Sequence, residues 1–189
     1  MADKVLAEQP HLAEAPIALA GISFGALLAF EIGCRLHERG VPPVALFLAS
    51  QRALKAPSID RSWHKLPDAQ LIAQMVEIGG LDEELAGHAE LIEIFLGVIR
   101  ADLQASETYV SPARPRLDCP LFIYRGVGDP AVSDEDMEAW RGETSGPVAI
   151  RRLPAGHFLT AGADDLWLAA LRADLASLPA VSKWNGGRP

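Results

Sequence analysis

Cysteine is scarce in this chain: of 189 residues only Cys34 and Cys119 carry thiols. Two such distant cysteines cannot build a disulfide framework or a tetrahedral metal site, which excludes the small stapled secreted scaffolds and zinc modules and fits a reducing cytoplasm. Positive charge is also in short supply. With 17 basic against 25 acidic residues the net charge is -8, and that field repels phosphate backbones and anionic headgroups, so neither nucleic acid nor a membrane is the expected partner. The opening MADKVLAEQPHLAEAP lacks the basic-then-apolar pattern of an export signal. The longest apolar run, Pro16 to Phe30, falls short of the roughly 18 residues of a membrane span and is interrupted by Gly21, Ser23 and Gly25. Internal repeats and low-complexity tracts are absent.

Apolar residues are plentiful, 49% of the chain, enough for one sizeable core. The expected organisation is a single domain over 1–180 with a loose, Gly-rich tail over 181–189. Ile17 to Ala20 is a continuous apolar run behind Pro16, as in a strand covered on both faces. Ala26 to Arg39 then reads as a helix, with Glu31, Arg35, Glu38 and Arg39 on one polar side and Gly40 at the position of a left-handed cap. Val44 to Ala49 is a second buried strand, completing a strand, helix, strand unit of parallel type.

Gln51 to Pro67 reads as an exposed loop. Asp68 to Val76 and Glu90 to Leu103 have apolar residues at helical spacing: Leu71, Ile72, Met75 and Val76 in the first, Leu91, Phe95, Val98 and Ile99 in the second. Gly79-Gly80 separates these two parts of a helical insertion. Strands resume at Leu121 to Tyr124 and Val148 to Leu153, with a helix expected from Ser133 to Arg141 between them and a closing helix over Leu166 to Leu178. The fold class implied is α/β, a mostly parallel sheet with helices on both faces.

The chemistry concentrates in Gly21-Ile22-Ser23-Phe24-Gly25, a GxSxG motif between a strand and a helix. The turn must be sharp enough to hold the serine in a strained conformation, which predicts that glycine is required on both sides. The following helix brings its positive end to the hydroxyl, and the backbone N–H of Phe24 points to where an oxyanion would form. A serine hydroxyl needs a base, and the base needs an orienting carboxylate. His157, after the last long strand, and Asp129, after the strand before it, are placed to serve, in the order Ser, Asp, His. Asp129 precedes Pro130 and could be a turn former alone, leaving Asp134 or Asp136 as the acid. His11, His37, His64 and His88 read as solvated side chains.

The stretches GISFGALLAFEIGCRLHERGVPP and LFLASQRA, with LPDAQLIAQMVEIGG, IRADLQASETY, LDCPLFIYRGVGDPAVS and LPAGHFLT further on, resemble the type II thioesterases of nonribosomal peptide and polyketide synthases, members of the α/β-hydrolase superfamily. The resemblance implies Ser23, Asp129 and His157 as a catalytic triad, and Leu66 to Tyr109 as a mobile lid over an acyl site. It implies thioester hydrolysis, an editing role, acyl or peptidyl carrier domains as partners, and no cofactor beyond the phosphopantetheine that carries the substrate. Ile22 stands where that family usually has histidine. The family's strands and glycine-containing loop ahead of this segment have no counterpart here, so an amino-terminally truncated fold is expected, with Ile17 to Ala20 as an apolar edge. One oxyanion donor would then be missing, a loss worth about 10²–10³ in rate. An inactive remnant that binds carriers, or another serine esterase or acyltransferase, are the alternative readings. Carrier docking would call on a basic patch among Arg35, Arg39, Arg52, Lys55 and Arg61.

Overall fold

A computed structural model of the chain describes residues 1–54, 62–161 and 164–178. Lys55, Arg61 and the expected tail over 181–189 lie outside the described residues. Four parallel strands form the sheet in the order β1-β2-β3-β4: β1 (Ala18–Ile22), β2 (Ala45–Ala49), β3 (Leu121–Gly126) and β4 (Val148–Leu153). β2 and most of β3 are buried on both faces, which is why they read as unbroken apolar runs. β1 is an edge of this sheet, with Ala18 and Ala20 exposed.

Alternate residues divide two cores. Leu46, Leu48, Leu121 and Ile123 meet α2 (Phe24–Glu38) and the Met137 and Trp140 side chains. Phe47, Ala49, Phe122 and Tyr124 meet α7 (Leu166–Ala176) through Trp167 and Leu171. Helices therefore cover both faces, as expected of the class. α2 ends where Gly40 turns left-handed at φ +78°. The expected helix over 133–141 is broken instead: a capping box between Ser133 and Asp136 starts α6 (Asp134–Glu138), which tightens into a 3-10 turn over Ala139–Gly142.

Among the described residues, three α-helices intervene between β2 and β3: α3 (Asp68–Glu77), the short α4 (Glu83–Ala86) and α5 (Ala89–Glu107). They share a small core of their own, built on Leu71, Met75, Ile78, Leu81, Ile92 and Leu96. The face of α5 differs from the sequence expectation. Ile92, Leu96, Ile99 and Leu103 point inward, whereas Leu91, Phe95 and Val98 lie 43–59% exposed. Both stripes are apolar at helical spacing, so periodicity alone cannot choose between them. A helix at Ala2–Glu8, α1, was not anticipated; Leu6 anchors it against Ile32 and Leu36 of α2.

Another departure is Glu31. Placed on the polar side of α2 by sequence, it is 8% exposed and accepts hydrogen bonds from Tyr109 Oη and from both terminal nitrogens of Arg114. Leu27 and Cys34, one turn on either side of it, are both buried, so Glu31 stands on an inward-facing stripe of the helix. This triad pins the end of the helical insertion to α2. Burial, followed by the bond to Glu31, pushes the Tyr109 phenol up to about 12.

Both cysteines are free and buried, and desolvation pushes each thiol up to about 12. At pH 8 only about one molecule in 10⁴ then carries the thiolate at a given site. The native protein should therefore leave an aromatic disulfide reagent unreacted for minutes and titrate both thiols at once in denaturant; rapid chromophore release before denaturation would contradict this burial.

Candidate active site

β1 runs straight into the motif. Ser23 takes φ +53° and ψ -124°, a conformation that an L-residue adopts only when its surroundings impose it. Those surroundings are visible. The Ser23 N–H donates to Ala49 O of β2 at 2.8 Å, and the Ser23 carbonyl accepts from the N–H groups of Ala26 and Leu27 to open α2. The N–H of Phe24 falls in the first turn and has no backbone acceptor among the described residues. The expected glycine requirement holds on one side only. A Cβ at Gly21 would sit 2.2 Å from Gly25 O, whereas one at Gly25 would meet nothing within 4 Å.

β3 and β4 deliver the other two groups. Beyond Gly126 the chain turns through a bond from Asp129 N–H to Gly126 O, and the Asp129 carboxylate comes to rest with no side-chain exposure. Its Oδ1 accepts from the Ala131 N–H at 2.7 Å, and its Oδ2 accepts from His157 Nδ1 at 2.9 Å. With Nδ1 committed as donor to a carboxylate, Nε2 is left as the ring's acceptor. Asp129 is thus both turn former and histidine partner. The alternatives are engaged elsewhere: Asp134 with Arg125 and Arg152, Asp136 in its capping box and with Arg52.

The acid and histidine loops approach one another closely. Val127 N–H donates to Leu153 O and Gly128 N–H to Ala155 O, and a Cβ on Gly126 would fall 2.1 Å from Gly156 O. The Arg125 guanidinium braces the acid loop from outside through Val132 O at 2.6 Å.

Ser23 and His157 line one cleft of about 190 Å³, to which the insertion contributes Ile78, Leu103 and Tyr109 and the loop before it Trp63. No hydrogen bond joins the two. At the cleft's rim stands a group that sequence reasoning missed. Glu107 accepts from the N–H groups of Trp63 and His64 and from the His64 ring, so His64 is not the solvated side chain expected. His37 likewise lies 3.3 Å from Asp118, while His11 and His88 are exposed. No group of three metal-ligating side chains occurs among the described residues.

Two of the basic residues named for docking are held in ion pairs. Arg35 pairs with Asp3 of α1 and Glu38 of α2, and Arg52 with Asp136 near the cleft. No helix among the described residues is long and apolar enough to cross a membrane.

A family model described as a thioesterase domain matches residues 1–167. Among curated proteins, Thioesterase PikA5 of Streptomyces venezuelae is 36% identical over 157 residues, which is 82% of this chain and 55% of that one. The human medium-chain S-acyl fatty acid synthase thioesterase is 34% identical, over 82% of this chain and 59% of its own length. The chain thus spans a little over half the length of these relatives. Among solved structures, RedJ, a thioesterase from the prodiginine pathway of Streptomyces coelicolor, superposes with a TM-score of 0.79 at 39% identity, covering 93% of this chain and 67% of that one. ClbQ, from the colibactin NRPS/PKS pathway, gives 0.82 at 27% identity, covering 95% and 77%. With the fold, the strand-to-helix serine and these likenesses together, the chain belongs to the thioesterase family of α/β-hydrolases.

Proposed function

We propose that this chain hydrolyses acyl or peptidyl thioesters carried on the phosphopantetheine arm of a synthase carrier domain, with Ser23 as nucleophile, His157 as general base and acid, and Asp129 as the carboxylate that orients it. The observation that carries the reading is the buried Asp129–His157 pair opening on the same cleft as Ser23, whose backbone is held at φ +53°. The relatives support the substrate class: ClbQ is named for an NRPS/PKS pathway and the human relative for a fatty acid synthase.

In the reaction, Ser23 Oγ attacks the thioester carbonyl while His157 Nε2 takes its proton. The oxyanion that forms is met by the N–H of Phe24 at the positive end of α2. Collapse expels the pantetheine sulfur, which receives the proton from His157. Water, deprotonated by the same imidazole, then releases the acid and restores Ser23. Asp129 keeps the proton on Nδ1 throughout and stabilises the imidazolium. A thiol with pKa about 8.5 leaves far more easily than an alkoxide, so the acid step is undemanding. No cofactor enters. α3 to α5 act as the lid over the acyl group, and the biological task is editing, the removal of stalled or wrongly primed acyl groups from carriers.

The test is to load a carrier protein with an acyl group and follow release of free acid, beside the matching oxygen ester. The thioester should be turned over with kcat/KM at least about tenfold above the ester. Carrier binding without any release would support a binding module instead, and equal or faster ester cleavage would make the chain an esterase.

A further inference from the structure

Ser23 is not the only non-glycine residue forced left-handed at this edge of the sheet: Ser50, which closes β2 as Ser23 closes β1, has φ +50°. Glycine takes that conformation freely, so a serine there is retained for something its side chain does. Ser50 is 2% exposed. Its hydroxyl donates to the backbone carbonyl of His157 at 2.5 Å, bridging 107 residues, while its N–H donates to Tyr124 O at 2.9 Å. Ser50 therefore reaches across the end of β3 to hold the loop that carries the imidazole.

We infer that Ser50 is a positioning residue for His157: its strained backbone aims a hydroxyl at the His157 carbonyl and so fixes where the imidazole stands between Asp129 and Ser23. The inference rests on the triad reading above. Two tethers act on this one residue, Asp129 on the ring and Ser50 on the main chain. The loop's other main-chain bonds lie to either side of the imidazole residue, Ala155 N–H to Leu153 O and Gly128 N–H to Ala155 O before it and Leu159 N–H to Gly156 O after it, and Leu159 is itself left-handed at φ +60°. With the carbonyl tether gone, the ring can keep its bond to Asp129 yet swing with the loop, away from the nucleophile. A misplacement of about 1 Å at a reacting group can cost about 10²-fold in rate.

The full chain carrying Ser50→Gly or Ser50→Thr separates this role from a structural one. Glycine removes the hydroxyl and relieves the strain; threonine keeps the hydroxyl and adds strain, because a branched Cβ disfavours positive φ. Ser50→Gly should keep its Tm within about 3 °C of the parent yet lose at least about tenfold in kcat with KM within about twofold. The low-field imidazole proton of His157 in the NMR spectrum should broaden or vanish. Ser50→Thr should melt lower while the folded enzyme keeps kcat within about threefold and retains that resonance. The inference is overturned if Ser50→Gly keeps both its kcat and a sharp His157 proton, or if Tm and kcat fall together in both variants. Ser23→Ala separates the two readings: turnover that survives it sinks the triad, while the His157 proton still reports whether Ser50 holds the loop.

Discussion

Ser23→Ala is expected to lower kcat for acyl-thioester hydrolysis by about 10⁴–10⁶-fold with no loss of fold. The direction follows from the geometry of the elbow. Ser23 contributes little to packing; its backbone, held by Ala49 O and by the start of α2, is what shapes the turn. Alanine keeps those main-chain bonds and removes only the atom that attacks. The matching His157→Ala change should cost about the same in kcat, and the double variant little more, because nucleophile and base act as one unit. Free thiol released from an acylated carrier reports each rate. A Ser23→Ala enzyme within about tenfold of the parent would mean that hydrolysis proceeds by some other group.

Gly126→Ala is the second large effect, and it acts on the same chemistry through the backbone. An added Cβ would lie 2.1 Å from Gly156 O and 2.4 Å from Ala155 O, and neither oxygen belongs to a side chain that can rotate away. The acid and histidine loops must part, breaking the bonds that bind Val127 to Leu153 and Gly128 to Ala155. Destabilisation of about 3 kcal/mol is expected, as for overpacking against a rigid wall, together with at least about 10²-fold lower kcat as Asp129 and His157 separate. Gly25→Ala is the control: with open space around its Cβ and helical backbone, it should be neutral or stabilise by up to about 1 kcal/mol. Thermal melts of the pair decide the matter. A Gly126→Ala protein as stable and active as Gly25→Ala would show that the two loops do not approach as described.

How far the sequence discloses this arrangement depends on what each residue's role demands of its neighbours. β2 is legible because a strand covered on both faces must be apolar throughout, as Ala45 to Ala49 is. The elbow is legible because the close approach of Gly21 to Gly25 O restricts the residue choice to glycine. Asp129 and His157 are legible as candidates from their places after successive strands; position alone leaves Asp134 and Asp136 open beside Asp129, since all three follow β3 closely, and it is the family resemblance that singles out Asp129, whose carboxylate meets the His157 ring. Ser50 left no trace: nothing in the sequence reports a serine's φ. Glu31 and Glu107 were hidden because their partners, Arg114 and His64, lie 83 and 43 residues away. On α5 two apolar stripes compete, and the one that faces α3 is fixed by tertiary packing rather than by period.

The most direct test of the site is to treat the protein with a fluorophosphonate and locate the adduct by peptide mass analysis. A single adduct on Ser23, formed at least about 10³-fold more slowly in His157→Ala, is the result that a buried Asp129–His157 pair activating one serine requires. An untouched Ser23 in folded protein, an adduct on Ser50 instead, or labelling indifferent to His157 would contradict it.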